Sequence, residues 1–219
     1  MKKNDIKKES LPPIEVIDLF CGIGGLSFGM KSRGFNILAG YDLDATCQYA
    51  YETNNEAKFI YKDIKAVSPD EIRATYGKGS IRVLAGCAPC QPFSSYAFKN
   101  KKKDPNKYDL LYEFGRIVKE IHPDIVTMEN VAQILSFKEK PVLSDFENLL
   151  KNEGYHIWVR PVYCPDYGIP QTRKRLVLLA SRLGKIELIK PTHKPNEYKT
   201  VIETIGDLPE IKAGETDKN

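Results

Sequence analysis

Three clusters in this sequence carry side chains whose types and spacing can do chemistry. The first is Asp18-Leu19-Phe20-Cys21-Gly22-Ile23-Gly24-Gly25-Leu26, where an apolar run gives way to a helical pattern. Glycines at such a junction let the backbone turn tightly and approach a ligand, and the helix that follows offers free N–H groups to an anion. Many strand-to-helix turns hold glycine for packing alone, so the cluster by itself leaves both readings open. Two acids extend it. Asp42, in Tyr41-Asp42-Leu43-Asp44, is placed to hydrogen-bond ribose hydroxyls. Asp63, followed by Ile64, is placed to meet an adenine amino group while Ile64 covers the ring. Either acid alone reads equally well as a helix cap, and Asp44 before Ala-Thr-Cys reads as one. Together the three describe a nucleoside pocket. The spacing Gly-x-Gly-Gly, in place of Gly-x-Gly-x-x-Gly, favours a nucleoside with a small anionic tail over a pyrophosphate, and S-adenosyl-L-methionine meets that description.

The second cluster is Gly86-Cys87-Ala88-Pro89-Cys90-Gln91-Pro92-Phe93-Ser94-Ser95. Cys87-x-x-Cys90 has the spacing of half a zinc site, but zinc needs a second ligand pair and the other cysteines and the three histidines stand singly, so no metal is expected. A thioredoxin-like redox pair is a second reading, and a nucleophilic Cys90 thiolate in a ligand crevice a third. The third cluster is Gln171-Thr172-Arg173-Lys174-Arg175, where an extended backbone would turn Gln171, Arg173 and Arg175 to one face. A solvated edge strand accounts for a lone Arg-x-Arg equally well.

Something must position these groups. Short apolar, often β-branched runs at residues 14–19, 35–41, 58–61, 81–86, 124–128 and 175–180 read as buried strands. Helical patterns lie between them. Leu110, Leu111, Phe114, Ile117, Val118 and Ile121 form one stripe over 108–121. A second helix starts at Ser68-Pro69-Asp70-Glu71 with a cap, a proline at the first helical position and an acid three residues on. A third covers 142–153 and stops at Gly154. The alternation implies an α/β fold of Rossmann-like type, a mostly parallel sheet with helices on both faces that binds ligands at the carboxyl ends of its strands. The first two clusters follow strands, as that rule requires.

The chain has 219 residues, 42% hydrophobic and 28% charged, which is ordinary globular usage and excludes a disordered or collagenous chain. The organisation read from it is a basic tail over 1–13, a cofactor-binding and catalytic domain over 14–189, and an extended tail over 190–219 where apolar density falls. No apolar stretch is long enough for a membrane span or a secretion signal, and five unstapled cysteines suit a reducing compartment, so a soluble cytoplasmic protein is expected. The formal charge is only +4, but residues 99–107 carry five lysines against Asp104. Such a run is either a solvated loop or the footprint of a phosphate backbone.

The glycine turn, the Gly86–Ser95 segment, Met128-Glu129-Asn130-Val131 and Tyr167-Gly168-Ile169-Pro170-Gln171-x-Arg173-x-Arg175 occur in an order that resembles the C5-cytosine-specific DNA methyltransferases over residues 14–180. The resemblance implies S-adenosyl-L-methionine as methyl donor and a flipped cytosine in double-stranded DNA as substrate. It implies cofactor contacts from Asp18, Phe20, Cys21, Gly22, Gly24, Gly25, Leu26, Asp42, Leu43, Asp63, Ile64, Gly86 and Pro89. Cys90 becomes the nucleophile toward carbon 6, Glu129 the carboxyl at N3, Arg175 the support of the O2 edge, and Arg173 a neighbour of the base or its phosphate. Gln91, Ser94, Ser95, Lys101, Lys102, Lys103 and Gln171 become DNA contacts. A restriction-modification setting goes with many enzymes of this kind.

Two positions depart from the family pattern. Lys107 stands where an arginine is usual, keeping charge without the planar fork, and Leu43 replaces an aromatic against the adenine. The family's target-recognition region and last motifs are not found after residue 180. The expectation is therefore a truncated chain, or one subunit of a split enzyme whose second polypeptide brings specificity, with weak methylation by the chain alone. The alternatives are a tRNA cytosine-5 methyltransferase, which shares these motifs, a thiol-disulfide protein, and a catalytically incomplete cofactor-binding subunit.

Overall fold

A computed structural model describes residues 11–89, 109–136 and 141–216. Its centre is a seven-stranded sheet. The strands are β1 (Ile14–Leu19), β2 (Asn36–Asp42), β3 (Lys58–Tyr61), β4 (Ile81–Gly86), β5 (Ile125–Val131), β6 (His156–Tyr163) and β7 (Lys174–Ser181), in the order β3-β2-β1-β4-β5-β7-β6. The first five run parallel, and β7 is antiparallel to both β5 and β6. Helices α1 (Gly25–Lys31), α2 (Gln48–Asn55), α3 (Pro69–Thr75), α4 (Asp109–Ile121) and α5 (Val142–Asn152) connect them.

Alternation along the strands divides the core between the two faces. Ile17, Leu19, Leu84, Val126 and Met128 pack with Ile72 of α3, Phe114, Ile117 and Val118 of α4 and Phe146 of α5. Val16, Val83 and Ala85 point the other way, toward Leu26 and Met30 of α1 and Tyr51 of α2. Strands covered on both sides must be apolar throughout, which is why 14–19 and 81–86 are read from sequence to the residue; 58–61 matches its run too, although it is an edge strand with Lys58 and Tyr61 exposed.

Four expectations change. β5 does not end at Met128: β4 stops pairing there, but β7 continues alongside, opposing Asn130 with Leu176 and Val131 with Arg175. Glu129 therefore lies inside the strand, opposite Val177, and not in a turn after it. Strand β6 was not expected; it is a half-exposed edge strand containing Arg160 and Pro161, tolerable only because an edge leaves one side of the ladder unused. Ser68 precedes α3 with Pro69 in its first turn, but its side chain makes no cap, and Glu71 turns away toward Lys62, a charged donor stronger than a backbone N–H. Finally, Gln171 and Arg173 each donate their backbone N–H to the carbonyl two residues earlier, so the segment bends tightly and extended alternation begins only at Lys174.

The chain after β7 folds back on the β6–β7 loop. The Thr192 and His193 N–H groups donate to the Asp166 carbonyl at 2.8 and 3.0 Å, and the Tyr198 hydroxyl donates to Asp166 Oδ1 at 2.5 Å. A short helix, α6 (Val201–Ile205), follows, capped reciprocally by Thr200 and Glu203. Among the described residues no helix is long and apolar enough to cross a membrane, and no group of three or more His, Cys, Asp or Glu is arranged to hold a metal ion.

Candidate functional site

The strand order reverses between β1 and β4, and a crevice opens at their carboxyl ends, as an open α/β sheet requires. The turn after β1 shapes it. Phe20, Gly22 and Gly24 all have positive φ, at 59°, 51° and 86°, so the chain reverses within five residues. At Gly22 an added Cβ would meet nothing within 4 Å, so this backbone lies open to a ligand. At Gly24 it would lie 2.2 Å from Asn55 Nδ2 and 2.7 Å from Tyr51 Cδ2, so that glycine is required by packing. Packing accounts for Gly24, and the open space at Gly22 leaves room there for the ligand reading.

Carboxylates tie the turn down. Asp42 Oδ2 accepts the Gly22 N–H at 2.8 Å and Oδ1 accepts the Asp44 N–H at 2.9 Å, so one side chain fixes the turns after β1 and β2 together. Beneath them Asp18 is 1% exposed. Its Oδ2 accepts the Ser27 hydroxyl at 2.7 Å, and its Oδ1 has no partner among the described residues. Burial, opposed by the Ser27 bond and reinforced by the Asp42 charge, pushes its carboxyl up to about 6. Asp44 caps the following turn through Thr46, as expected.

A cavity of about 170 Å³ occupies the crevice, lined by Phe20, Tyr41, Asp42, Leu43, Lys62, Asp63, Ile64, Cys87, Pro89 and Leu110. Phe20, Asp42, Leu43, Asp63, Ile64 and Pro89 are thus gathered as the sequence predicts. Asp18, Cys21, Gly22, Gly24, Gly25, Leu26 and Gly86 are not in that lining: Asp18 lies within β1, Cys21, Gly22, Gly24, Gly25 and Leu26 build the adjoining turn and the start of α1, and Gly86 is buried at the end of β4. Tyr41, Lys62, Cys87 and Leu110 were missed. Tyr41 reads as strand core, and Leu110 belongs to a helix distant in sequence. Asp63 Oδ1 accepts the Lys65 N–H at 2.9 Å and caps its own turn. The cavity therefore combines apolar lining from Phe20, Ile64 and Leu110 with the carboxylate acceptors of Asp42 and Asp63, and a nucleoside, with an apolar base and donating hydroxyl and amine groups, fits that lining.

Across β4, Glu129 and Arg175 meet. Arg175 Nε lies 2.8 Å from Glu129 Oε1, and Nη1 donates to the Lys174 carbonyl at 2.8 Å. Next to Glu129, the buried Asn130 side chain donates to the Ala88 carbonyl at 3.2 Å while its Oδ1 accepts the Val131 N–H at 2.8 Å. It pins the loop that leads toward Cys90, a role with no sequence signal beyond the motif. Cys87 sits in the cavity wall, where burial and the charges of Asp18 and Glu129 push its thiol up, leaving it a poor nucleophile. Arg173 and Gln171 are exposed just ahead of β7. Cys90, Gln91, Ser94, Ser95, Lys101, Lys102, Lys103 and Lys107 lie outside the described residues.

The profile of the family described as C-5 cytosine-specific DNA methylase matches residues 14–219. The chain belongs to this family. Among relatives, it is 49% identical over 193 residues to the type II methylase M.HgiDII of Herpetosiphon aurantiacus, covering 88% of this chain and 54% of that one. It is 34% identical over 203 residues to the type II methyltransferase M.XorII of Xanthomonas oryzae pv. oryzae, covering 90% and 47%. A solved E. coli structure described as a prophage-encoded DNA modification methyltransferase superposes with a TM-score of 0.75 at 26% identity, covering 90% of this chain and 56% of that one. This methylase-family chain thus spans about half the length of the curated relatives it matches. The order of its motifs and its sheet topology agree with that membership.

Proposed function

We propose that the protein is the cofactor-binding and catalytic portion of a DNA (cytosine-5-)-methyltransferase using S-adenosyl-L-methionine. The observation that carries the reading is the Glu129–Arg175 pair beside the cavity. One oxygen of the carboxyl is held by Arg175 Nε. We assign the other carboxyl oxygen to N3 of a cytosine and a remaining guanidinium N–H to its O2.

Carbon 5 of cytosine is too weak a nucleophile to be methylated directly. The Cys90 thiolate adds to carbon 6, forming an S–C bond and pushing the ring electrons toward N3. Glu129 shares a proton with N3 and stabilises the resulting enamine, and Arg175 holds O2 and the Glu129 rotamer together. Bound S-adenosylmethionine supplies an electrophilic methyl group beside carbon 5. Loss of the carbon 5 proton then returns electrons to the ring, and Cys90 leaves. Asp42 takes the ribose hydroxyls, and Asp63 the adenine amino group, with Ile64, Phe20 and Leu43 around the ring. Gly22 and Gly25 let the methionine end approach the turn above Asp18.

A cytosine stacked in a duplex cannot reach these groups, so it must be swung out at a cost of a few kcal/mol, offset by backbone contacts. Arg173, Gln171, Gln91, Ser94, Ser95 and Lys101–Lys103 are the residues we assign to double-stranded DNA. Because the chain spans about half the length of its relatives, we place target recognition in a further segment or a second polypeptide. The type II relatives support a restriction-modification role in the cytoplasm.

The test is adduct trapping. With that further segment supplied and S-adenosylmethionine present, wild-type protein should form a denaturation-resistant complex on duplex DNA containing 5-fluorocytosine. Cys87→Ser should retain the complex and Cys90→Ser should lose it. Equal damage from both substitutions would point instead to a cysteine pair.

A further inference from the structure

Lys62 is a lining residue that the proposed cofactor chemistry does not yet use. Its backbone N–H donates to the Asp42 carbonyl at 3.1 Å, continuing the β2–β3 register one residue past the strands, and the residue lines the cavity. Its ammonium donates to Glu71 Oε2 at 2.5 Å. Glu71 also accepts the Tyr41 hydroxyl through Oε1 at 3.3 Å, so α3 presents a carboxylate that holds a cation and a phenol at the cavity wall. Lys62 and Glu71 are both about one-third exposed, at 33% and 34%, and a pair so open to water holds little of the fold together.

A nucleoside brings two kinds of polar group. The ribose hydroxyls and the exocyclic amine donate, and Asp42 and Asp63 are suited to accept from them. The ring nitrogens of a purine only accept, and carboxylates cannot serve them. Of the cavity's side chains, Tyr41 commits its one hydroxyl proton to Glu71, and Cys87 is a weak donor. Lys62 has three protons, with one given to Glu71.

We propose that Lys62 donates to a ring nitrogen of the cofactor's adenine, with Glu71 as the residue that positions it, and so selects a purine by its acceptors as Asp63 does by its amine. The inference rests on the S-adenosylmethionine reading of the cavity. It is tested by titration calorimetry of the chain with S-adenosylhomocysteine and its 1-deaza, 3-deaza and 7-deaza analogues, on wild type, Lys62→Met and Glu71→Gln. Lys62→Met keeps the packing of the aliphatic stem and should weaken S-adenosylhomocysteine about ten-fold, with Glu71→Gln falling between it and wild type. One deaza analogue should bind wild type about ten-fold more weakly than the parent, and that penalty should vanish in Lys62→Met. The ligand-side deletion reads the contact in unaltered protein, independently of how any variant folds. Binding by Lys62→Met equal to wild type, or the same deaza penalties in both proteins, overturns the assignment while leaving the cofactor reading intact. Failure of wild type to bind S-adenosylhomocysteine at all overturns both.

Discussion

The three glycines of the β1–α1 turn should respond to alanine in different ways, and the structure says by how much. Gly24 sits at φ 86°, where a Cβ costs about 1–2 kcal/mol from backbone sterics alone. That Cβ would also press on the Tyr51 ring and on Asn55 Nδ2, both buried. Tyr51 cannot retreat: its far side abuts Gly40, where an added Cβ would lie 2.3 Å from Cζ, and its hydroxyl is 3.2 Å from the Ser27 hydroxyl. Overpacking a site that cannot yield adds about 1–3 kcal/mol. Gly24→Ala should therefore lose about 2–5 kcal/mol in urea denaturation at unchanged m-value. Gly22→Ala, at φ 51° with open space around it, should lose only the backbone part, about 1–2 kcal/mol. Gly25 lies in the first turn of α1 with nothing near its Cβ position, and its alanine should be at least as stable as wild type. If the open space is where the cofactor lies, Gly22→Ala or Gly25→Ala should weaken S-adenosylhomocysteine binding ten-fold or more while the protein stays folded. A Gly24→Ala protein as stable as wild type, or a Gly25→Ala protein less stable than Gly24→Ala, would refute the packing argument.

Further outcomes follow from the charged groups. Asp18 raised from 3.8 to about 6 means that between those values the folded protein holds a proton the unfolded chain has lost, so stability falls as pH rises from about 4 to 6 and stays reduced above. The penalty amounts to about 3 kcal/mol. Asp18→Asn should therefore be the more stable protein at pH 8, by about 1–3 kcal/mol, with the gain gone near pH 4; a gain that persists at pH 4 would assign it to something other than the charge. Glu129→Gln breaks a pair that is 21% and 35% exposed, so the thermal midpoint should move by less than about 3 °C. Methyl transfer should nevertheless drop about 10²–10⁴-fold with S-adenosylhomocysteine binding unchanged, and a parallel loss of binding would make Glu129 structural. Replacing Lys101, Lys102 and Lys103 with Ala should reduce the slope of log K for DNA against log salt by about 2 to 3; an unchanged slope removes them from the interface.

How much of this was legible in the sequence depends on what each residue faces. β1 and β4 lie within the sheet and are covered on both faces, so their apolar runs mark them without ambiguity. β6 faces protein on one side only and mixes Trp158 with Arg160 and Pro161, so no period survives. The motif residues Asp42, Asp63 and Ile64 reach the cavity because each directly ends a strand or follows one, a position that local sequence shows. Lys62 stands between the same landmarks and gives no sign. Its meaning comes from Glu71, nine residues on and across a turn, whose spacing from Ser68 had suggested a capping box. Arg175 was placed beside the base, but its contact with Glu129 depends on β7 running antiparallel to β5, a pairing that no local pattern specifies.

The charges in the crevice also bear on the different parts we propose for two cysteines three residues apart. Asp18, Asp42, Asp63 and Glu129 all project from the carboxyl ends of neighbouring strands or just beyond them. Burial first, and these charges second, hold a thiol among them protonated, as the upward shifts of Cys21 and Cys87 express. A nucleophilic thiolate needs the opposite surroundings. Arg175 neutralises Glu129 on the side of the crevice where the base is proposed to sit, and the Lys-rich run follows Cys90 directly in sequence. We therefore propose that the acids serve the cofactor's donors, while Arg175, beside the end of β5, and the residues after β4 serve the thiolate and a phosphate backbone. The Asn130–Ala88 bond ties the two together. Asn130→Ala, which leaves a buried carbonyl unsatisfied at a cost of about 1–3 kcal/mol, should accordingly slow adduct formation more than it weakens cofactor binding. Equal loss of both would mean that the bond supports only the fold.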